Sequence, residues 1–216
     1  MSFNKTYAVF GLGRYGFSVA KELVNNGFDV IAVDSSEQIV NTLSSELPFC
    51  KCADTTDLEV LKRLGIANVD TVVVAMASNI EASVMSVMLC KELGVEHVIA
   101  KCSSEMHYRI LKKVGADKVV FPEKESGIRL AKNLLSSGFI DIIELSKEVS
   151  MIELNVKKEW VGKNLLELDL RKKYSINVVA IKHGSDINIH IDPTLPLDEE
   201  MELIVVGDKG KLTKLK

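Results

Sequence analysis

"AVFGLGRYG", residues 8–16, decides the fold of this chain. A short apolar run stops at three glycines spaced G-x-G-x-x-G: Gly11, Gly13 and Gly16. The following "GFSVAKELVNNG" carries Val19, Leu23 and Val24 on one helical face and closes on Gly27. Strand, glycine turn and helix in that order let a pyrophosphate approach the backbone and meet the free N–H groups and partial positive charge of a helix N-terminus. The same turn also serves tight helix–sheet packing without any ligand, so its context matters. Asp34 ends the next β-rich run, "DVIAVD", 18 residues past Gly16. A carboxylate there accepts hydrogen bonds from both ribose hydroxyls and disfavours a 2′-phosphate.

The rhythm of strand then helix continues to about residue 137: "SSEQIVNTLSSEL", "PFCKC", "DLEVLKRLGI", "DTVVVAM", "NIEASVMSVMLCKELG", "HVIAKC", "SEMHYRILKKVGA", "DKVVFP" and "EKESGIRLAKNLLSS". Six such units in series imply a parallel sheet with right-handed crossovers, and runs such as "TVVVAM" are apolar enough to be covered on both faces. The fold class is α/β, a doubly wound Rossmann-type domain over residues 1–138, followed by a small α+β domain over 139–216. In the second part "SMIELNV" alternates, "NLLELDLRKKY" reads as one helix, "INVVAIKHGSDINIHI" as two strands around a Gly184-Ser185-Asp186 turn, and "MELIVVGD" as a last strand. Residues 139–148 are read as a connector.

An open α/β sheet binds ligands at the carboxyl ends of its strands. That edge collects Gly11, Gly13, Arg14, Tyr15 and Gly16 from the first turn, and Asp34 and Ser35 from the second, with Ser35 or Ser36 placed to cap a helix. The third turn brings Ala53, Asp54 and Thr55, of which Asp54 and Thr55 suit a base edge and also suit capping of the next helix. The fourth brings Ala75, Met76, Ala77 and Asn79, mostly small residues that leave room. Lys101 closes the fifth strand, and Glu123 follows the sixth. Arg14 sits at the mouth of the phosphate site. An arginine in the first turn is unfavourable against the helix dipole, which favours a phosphate partner for it, on this subunit or a neighbour.

Composition excludes several classes. With 47% hydrophobic and 26% charged residues and a net charge of −3, the chain has no general nucleic-acid footprint. No apolar run approaches the roughly 20 residues of a membrane span, and the N-terminus lacks a signal-peptide pattern, so a cytoplasmic location is expected. Of the four cysteines, Cys50 and Cys52 form "CKC", too closely spaced for a paired structural zinc ligand. The four histidines, His97, His107, His183 and His190, show no base-and-orienter pattern. An NAD(H)-dependent oxidoreductase therefore lacks both a catalytic set and a substrate domain of typical size. An NAD(H)-responsive redox sensor built on Cys50 or Cys52 is the other alternative.

"AVFGLGRYG", Asp34, "CADTTD", "VAMASNIEAS", "VGADKVVFPEKESGIRLAKNL" and "LDLRKKYSINVVAIKHG" together resemble the TrkA family, the regulatory subunits of Ktr/Trk potassium transporters, with an N-terminal RCK domain and an RCK-C domain. The resemblance implies a non-enzymatic ring of dimers assembled into an octamer beneath a membrane potassium-transport subunit, at the inner face of the cell membrane. It implies that ATP and ADP bind the first domain and that Arg14 reaches a neighbour's nucleotide phosphates. It further implies that Glu123 serves a cation (Mg2+, Ca2+ or Na+) between paired nucleotides, although Phe121 stands where close relatives often have histidine. For the second domain it implies a cyclic di-AMP site at a dimer interface, matched by Leu165, Leu166, Asp169, Arg171, Asn177, Val178 and Pro193. Asp169 and Arg171 lie two apart and share no helix face, so lining one pocket requires the chain to turn there.

Overall fold

The computed structural model describes residues 5–135 and 139–212. The chain divides into two compact units, Met1–Pro122 and Glu123–Lys216. The boundary expected at residue 138 lies outside the described residues.

The first unit alternates strand and helix as the sequence rhythm requires. In chain order it runs β1 (Thr6–Phe10), α1 (Arg14–Asn25), β2 (Asp29–Asp34), α2 (Glu37–Leu43), β3 (Cys50–Cys52), α3 (Leu58–Arg63), β4 (Thr71–Val74), α4 (Ile80–Glu92), β5 (His97–Lys101), α5 (Glu105–Lys113) and β6 (Lys118–Val120). The six strands form one sheet in the order β3-β2-β1-β4-β5-β6, every pair parallel. Strand order reverses beside β1, whose two neighbours are β2 and β4, and the crevice at such a switch point is where open α/β sheets take ligands.

Alternating side chains of the sheet feed two apolar layers. Ala8, Phe10, Val33, Val72, Val74, Val98 and Ala100 pack with Leu61 of α3, Val87 of α4 and Leu111 of α5. Val9, Val30, Ala32 and Val73 pack on the opposite face with Ala20 and Leu23 of α1 and Ile39 and Leu43 of α2. Burial on both faces explains why these strands read as near-continuous apolar runs.

The second unit begins along α6 (Pro122–Leu135), followed by β7 (Phe139–Glu144), β8 (Val149–Asn155), α7 (Leu165–Leu168), α8 (Leu170–Tyr174), β9 (Ile176–His183), β10 (Asp186–Asn188), β11 (Met201–Asp208) and α9 (Lys209–Leu212). Its strands form an antiparallel sheet in the order β10-β9-β11-β8-β7. Ile152 and Leu154 of β8 and Leu203 and Val205 of β11 line one face and pack with Trp160, Leu168 and Leu170. The stretch 139–148, expected as a connector, contains strand β7, which pairs with β8 from Phe139↔Leu154 to Glu144↔Ser150. The helix expected over 164–174 is two short helices. Asn164 and Glu167 open the first with a reciprocal capping box, and Asp169 at φ 45° ends it. Aspartate tolerates this left-handed conformation better than most residues do.

Candidate functional site

The glycine loop is built from three differently constrained glycines. Gly11 has φ +84°, a conformation that side chains rarely adopt, and Met76 lies against it. At Gly16 a Cβ would fall 1.9 Å from the carbonyl oxygen of Gly11 and 3.0 Å from Ala75 Cβ. Gly16 is therefore the price of bringing α1 against the ends of β1 and β4. At Gly13 a Cβ would meet nothing within 4 Å. The fold makes no demand for a glycine there, whereas close approach of a ligand to the backbone does.

Helix termini sharpen the contrast. Ser36 caps α2, Asp57 caps α3, Asn79 caps α4 and Ser104 caps α5, each side chain accepting a backbone N–H of the first turn. Helix α1 starts at Gly13 without a side-chain cap. This helix start lies at the sheet edge, in the region of the switch point, and a helix N-terminus of this kind suits an anion through the positive end of the helix dipole.

Asp34 ties the second turn to the first. Its Oδ2 accepts the Leu12 N–H at 2.7 Å and its Oδ1 accepts the Ser36 N–H at 2.9 Å. The half-buried carboxylate is thereby held beside the glycine loop. Arg14 is exposed in the first turn of α1. Lys101, at the end of β5, has its ammonium 5.5 Å from the centre of the Tyr15 ring, so the fifth strand reaches back to the loop.

The third turn differs from expectation. Neither Asp54 nor Thr55 caps α3; Asp57 does, accepting from Glu59 and Val60. Asp54 instead makes a local turn with the N–H and hydroxyl of Thr56, and these hydrogen bonds hold its carboxyl below the ordinary range. Thr55 is buried, and its hydroxyl is shared with Ser86 of α4 at 2.8 Å rather than turned toward a base. Ala53 donates its N–H to the Asp34 carbonyl. In the fourth turn Ala75 and Met76 abut the glycine loop and Ala77 is buried, while Asn79 uses its Oδ1 on the Ala82 N–H. Ser35 is exposed beside Asp34 and accepts a contact from the Cys52 thiol at 3.5 Å. The loop-holding role of the Leu12 N–H and the buried Ser86 were not visible as motifs. A serine within an apolar helix gives no local signal of its partner.

The cysteines divide by depth. Cys52 is exposed, Cys50 is half-buried with its thiol pushed up by burial and by nearby Asp34, and Cys90 is buried with its pKa pushed up to about 12. Among the described residues no group of three or more His, Cys, Asp or Glu side chains is placed to hold a metal. Glu123 lies exposed in the first turn of α6. In the second unit Leu166, Arg171, Asn177 and Pro193 are exposed, and Leu165, Asp169 and Val178 are half-buried. Leu166 N–H reaches the Pro193 carbonyl at 3.4 Å, which brings those two segments together. The chain turns at Asp169, between the two short helices.

Together, a doubly wound parallel domain with an uncapped glycine-loop helix beside a fixed carboxylate, and a small antiparallel second unit, define a Rossmann-type α/β domain paired with a small α+β unit. The TrkA-N domain family matches residues 7–122 and the TrkA-C domain family matches residues 149–216. The chain is 39% identical over 210 residues to Ktr system potassium uptake protein C of Bacillus subtilis, covering 97% of this chain and 95% of that one. It is 34% identical over 214 residues to Ktr system potassium uptake protein A of Vibrio alginolyticus, covering 99% and 97%. The GsuK channel superposes with a TM-score of 0.70 at 18% identity, over 99% of this chain and 39% of the channel chain. This chain belongs to the TrkA-N/TrkA-C family, among the Ktr system potassium uptake proteins. It is a regulatory protein of that system rather than an enzyme, and the oxidoreductase alternative is set aside.

Proposed function

We propose that this chain is a nucleotide-sensing gating subunit, switched by ATP and ADP bound over the glycine loop of the first unit. The observation that carries the reading is Gly13: an uncapped helix start where a Cβ would meet nothing within 4 Å, beside the Asp34 carboxylate, which two backbone N–H groups hold. Membership among Ktr potassium uptake proteins supports a regulatory use of that site. In this reading Asp34 holds the ribose, the α1 N–H groups hold the inner phosphates, and Arg14 and Lys101 supply positive charge to the outer phosphates of the same or a neighbouring subunit. Glu123 serves a cation, Mg2+, Ca2+ or Na+, where paired nucleotides concentrate negative charge. Cyclic di-AMP binds the second unit, with Arg171 forked onto a phosphate, Leu165, Leu166 and Val178 against the adenines, and Asp169, Asn177 and Pro193 completing the pocket. The subunit works as dimers in an octameric ring on a membrane-embedded Ktr/Trk potassium-transport subunit, at the cytoplasmic face of the membrane.

Purified protein should co-purify with, or be stabilised by, adenine nucleotide. A thermal-shift series with ATP, ADP and NAD reads this directly, because a ligand selective for the native state raises the melting temperature by mass action. Stabilisation by ATP and ADP supports the reading. Stabilisation by NAD alone reassigns the site to a dinucleotide, and no shift with any of the three overturns it.

A further inference from the structure

We infer that Ser86, a residue that does not face the nucleotide site, sets nucleotide affinity by latching the base-side turn to helix α4. The inference rests on the nucleotide reading of the first unit. Ser86 is fully buried, as is its partner Thr55 to within 4%. The two hydroxyls lie 2.8 Å apart, and Ser86 Oγ also donates to the Thr55 carbonyl at 3.1 Å. A buried hydroxyl shared in this way is either fully satisfied or costly, so the pair has one stable arrangement. Thr55 Oγ1 further reaches the Met76 sulfur at 3.9 Å. Met76 in turn lies against Gly11, its backbone nitrogen 3.0 Å and its Cβ 3.1 Å from where a Gly11 side chain would begin. Contacts thus run without a gap from α4 through Ser86, Thr55 and Met76 to the first glycine of the phosphate loop. From the same turn, Ala53 N–H binds the carbonyl of Asp34, the carboxylate proposed for the ribose.

The latch gives α4 a hold on the base side and the phosphate side together. Its outer surface shows Met85 and Met88, 40% and 46% exposed, on either side of the buried Ser86–Val87 pair. A shift of α4 along its axis therefore moves Thr55 and, through Met76, the loop, without any side chain of α4 touching the ligand. Ser86 is a positioning residue on this argument.

Calorimetric titration of the full chain with ADP and ATP tests it. Ser86→Ala and Thr55→Val each remove one hydroxyl with little change of volume, and each should raise the ADP Kd about three- to tenfold, the range of one lost hydrogen bond. Thr55→Ser keeps the hydroxyl and should bind like wild type. The double variant Ser86→Ala/Thr55→Val should lose no more than Ser86→Ala alone, since Ser86→Ala already removes both hydrogen bonds of the pair, whereas Thr55→Val leaves the one to the Thr55 carbonyl. A lower melting temperature with unchanged ADP and ATP affinity in both single variants shows a purely structural pair and overturns the latch. If Ser86→Ala does not yield folded protein, Thr55→Val against Thr55→Ser decides by the same criterion. Wild-type protein that binds neither nucleotide removes the nucleotide reading itself, a result distinct from wild-type binding that the variants leave unmoved.

Discussion

Gly13 and Gly16 sit three residues apart in one motif, yet the structure constrains them differently, and the proposed nucleotide site predicts different outcomes for alanine at each. At Gly16 the new Cβ falls 1.9 Å from a backbone oxygen and 3.0 Å from Ala75 Cβ. No flexible side chain is there to swing away, so the backbone of the loop or of α1 must move. Overpacking of this kind costs about 1–3 kcal/mol, and contact with a main-chain oxygen belongs at the upper end. At about 2–4 °C per kcal/mol for a chain of this size, the melting temperature should fall by roughly 4–12 °C. At Gly13 the Cβ meets nothing, and φ −64° is open to any residue. The weaker helix cap and the less flexible unfolded chain act in opposite directions, leaving stability within about 1 kcal/mol of wild type. A pyrophosphate resting on the backbone would meet that methyl group. Gly13→Ala should therefore weaken ADP and ATP at least about tenfold, or 1.4 kcal/mol, while melting like wild type. Differential scanning calorimetry and isothermal titration measure the two quantities separately. A Gly13→Ala protein that binds both nucleotides normally would refute the placement of phosphate over this loop.

Arg14→Ala should weaken ATP about ten- to a hundredfold and ADP less, because a guanidinium on the terminal phosphate makes charge-assisted bonds that ADP lacks; equal loss in titrations of both would assign Arg14 to the loop alone. Glu123→Gln should retain nucleotide binding but lose the extra melting-temperature gain that Mg2+ or Ca2+ gives the ATP form, and an undiminished gain would remove Glu123 from the cation site. His107 is buried on α5, and burial lowers its pKa from the ordinary 6.5. Below about pH 6.5 the unfolded chain takes up a proton at this histidine that the folded chain resists, so stability is present above that pH and falls as pH falls toward the lowered folded value. Denaturant unfolding at pH 7.5 and 5.5 should show a smaller loss in His107→Leu than in wild type, and equal losses would assign the pH dependence to other groups.

The parallel domain was legible because its signals are local. Apolar runs bounded by glycine and by capping residues fix each strand and helix, and the glycine loop with Asp34 marks the edge that matters. What stayed hidden depended on distant partners. "FIDIIE" carries no turn signal of its own, and only pairing with β8, from Phe139↔Leu154 onward, makes it a strand. "NLLELDLRKKY" reads as one helix, but the stop at Asp169 needs a positive φ that leucine-rich spacing conceals. Thr55 has the look of a helix cap two residues too early. Its hydroxyl is drawn inward because Ser86 offers a buried partner 31 positions away, and the capping role passes to Asp57.

In the proposed reading, the Asp34 carboxylate holds the glycine loop and binds a ribose at once. An ionised carboxylate offers about four acceptor positions on two oxygens. Leu12 N–H occupies one on Oδ2 and Ser36 N–H one on Oδ1. Two remain, one on each oxygen, matching the two hydroxyls of a ribose. Asp34→Asn disturbs both functions, since its amide nitrogen brings hydrogens against one of the two backbone N–H groups. Asp34→Ala leaves both N–H groups to water, which the half-buried position admits. Either variant should melt below wild type without ligand, and Asp34→Ala should weaken ADP about ten- to a hundredfold through the lost charge-assisted bonds. Loop damage alone would also weaken ADP, so the ribose needs its own measurement. With 2′-deoxy-ADP and 3′-deoxy-ADP, wild type should lose affinity relative to ADP, whereas Asp34→Ala should bind all three alike. Wild type that ignores the missing hydroxyls would confine Asp34 to holding the loop; a variant that still discriminates would place the ribose against another residue.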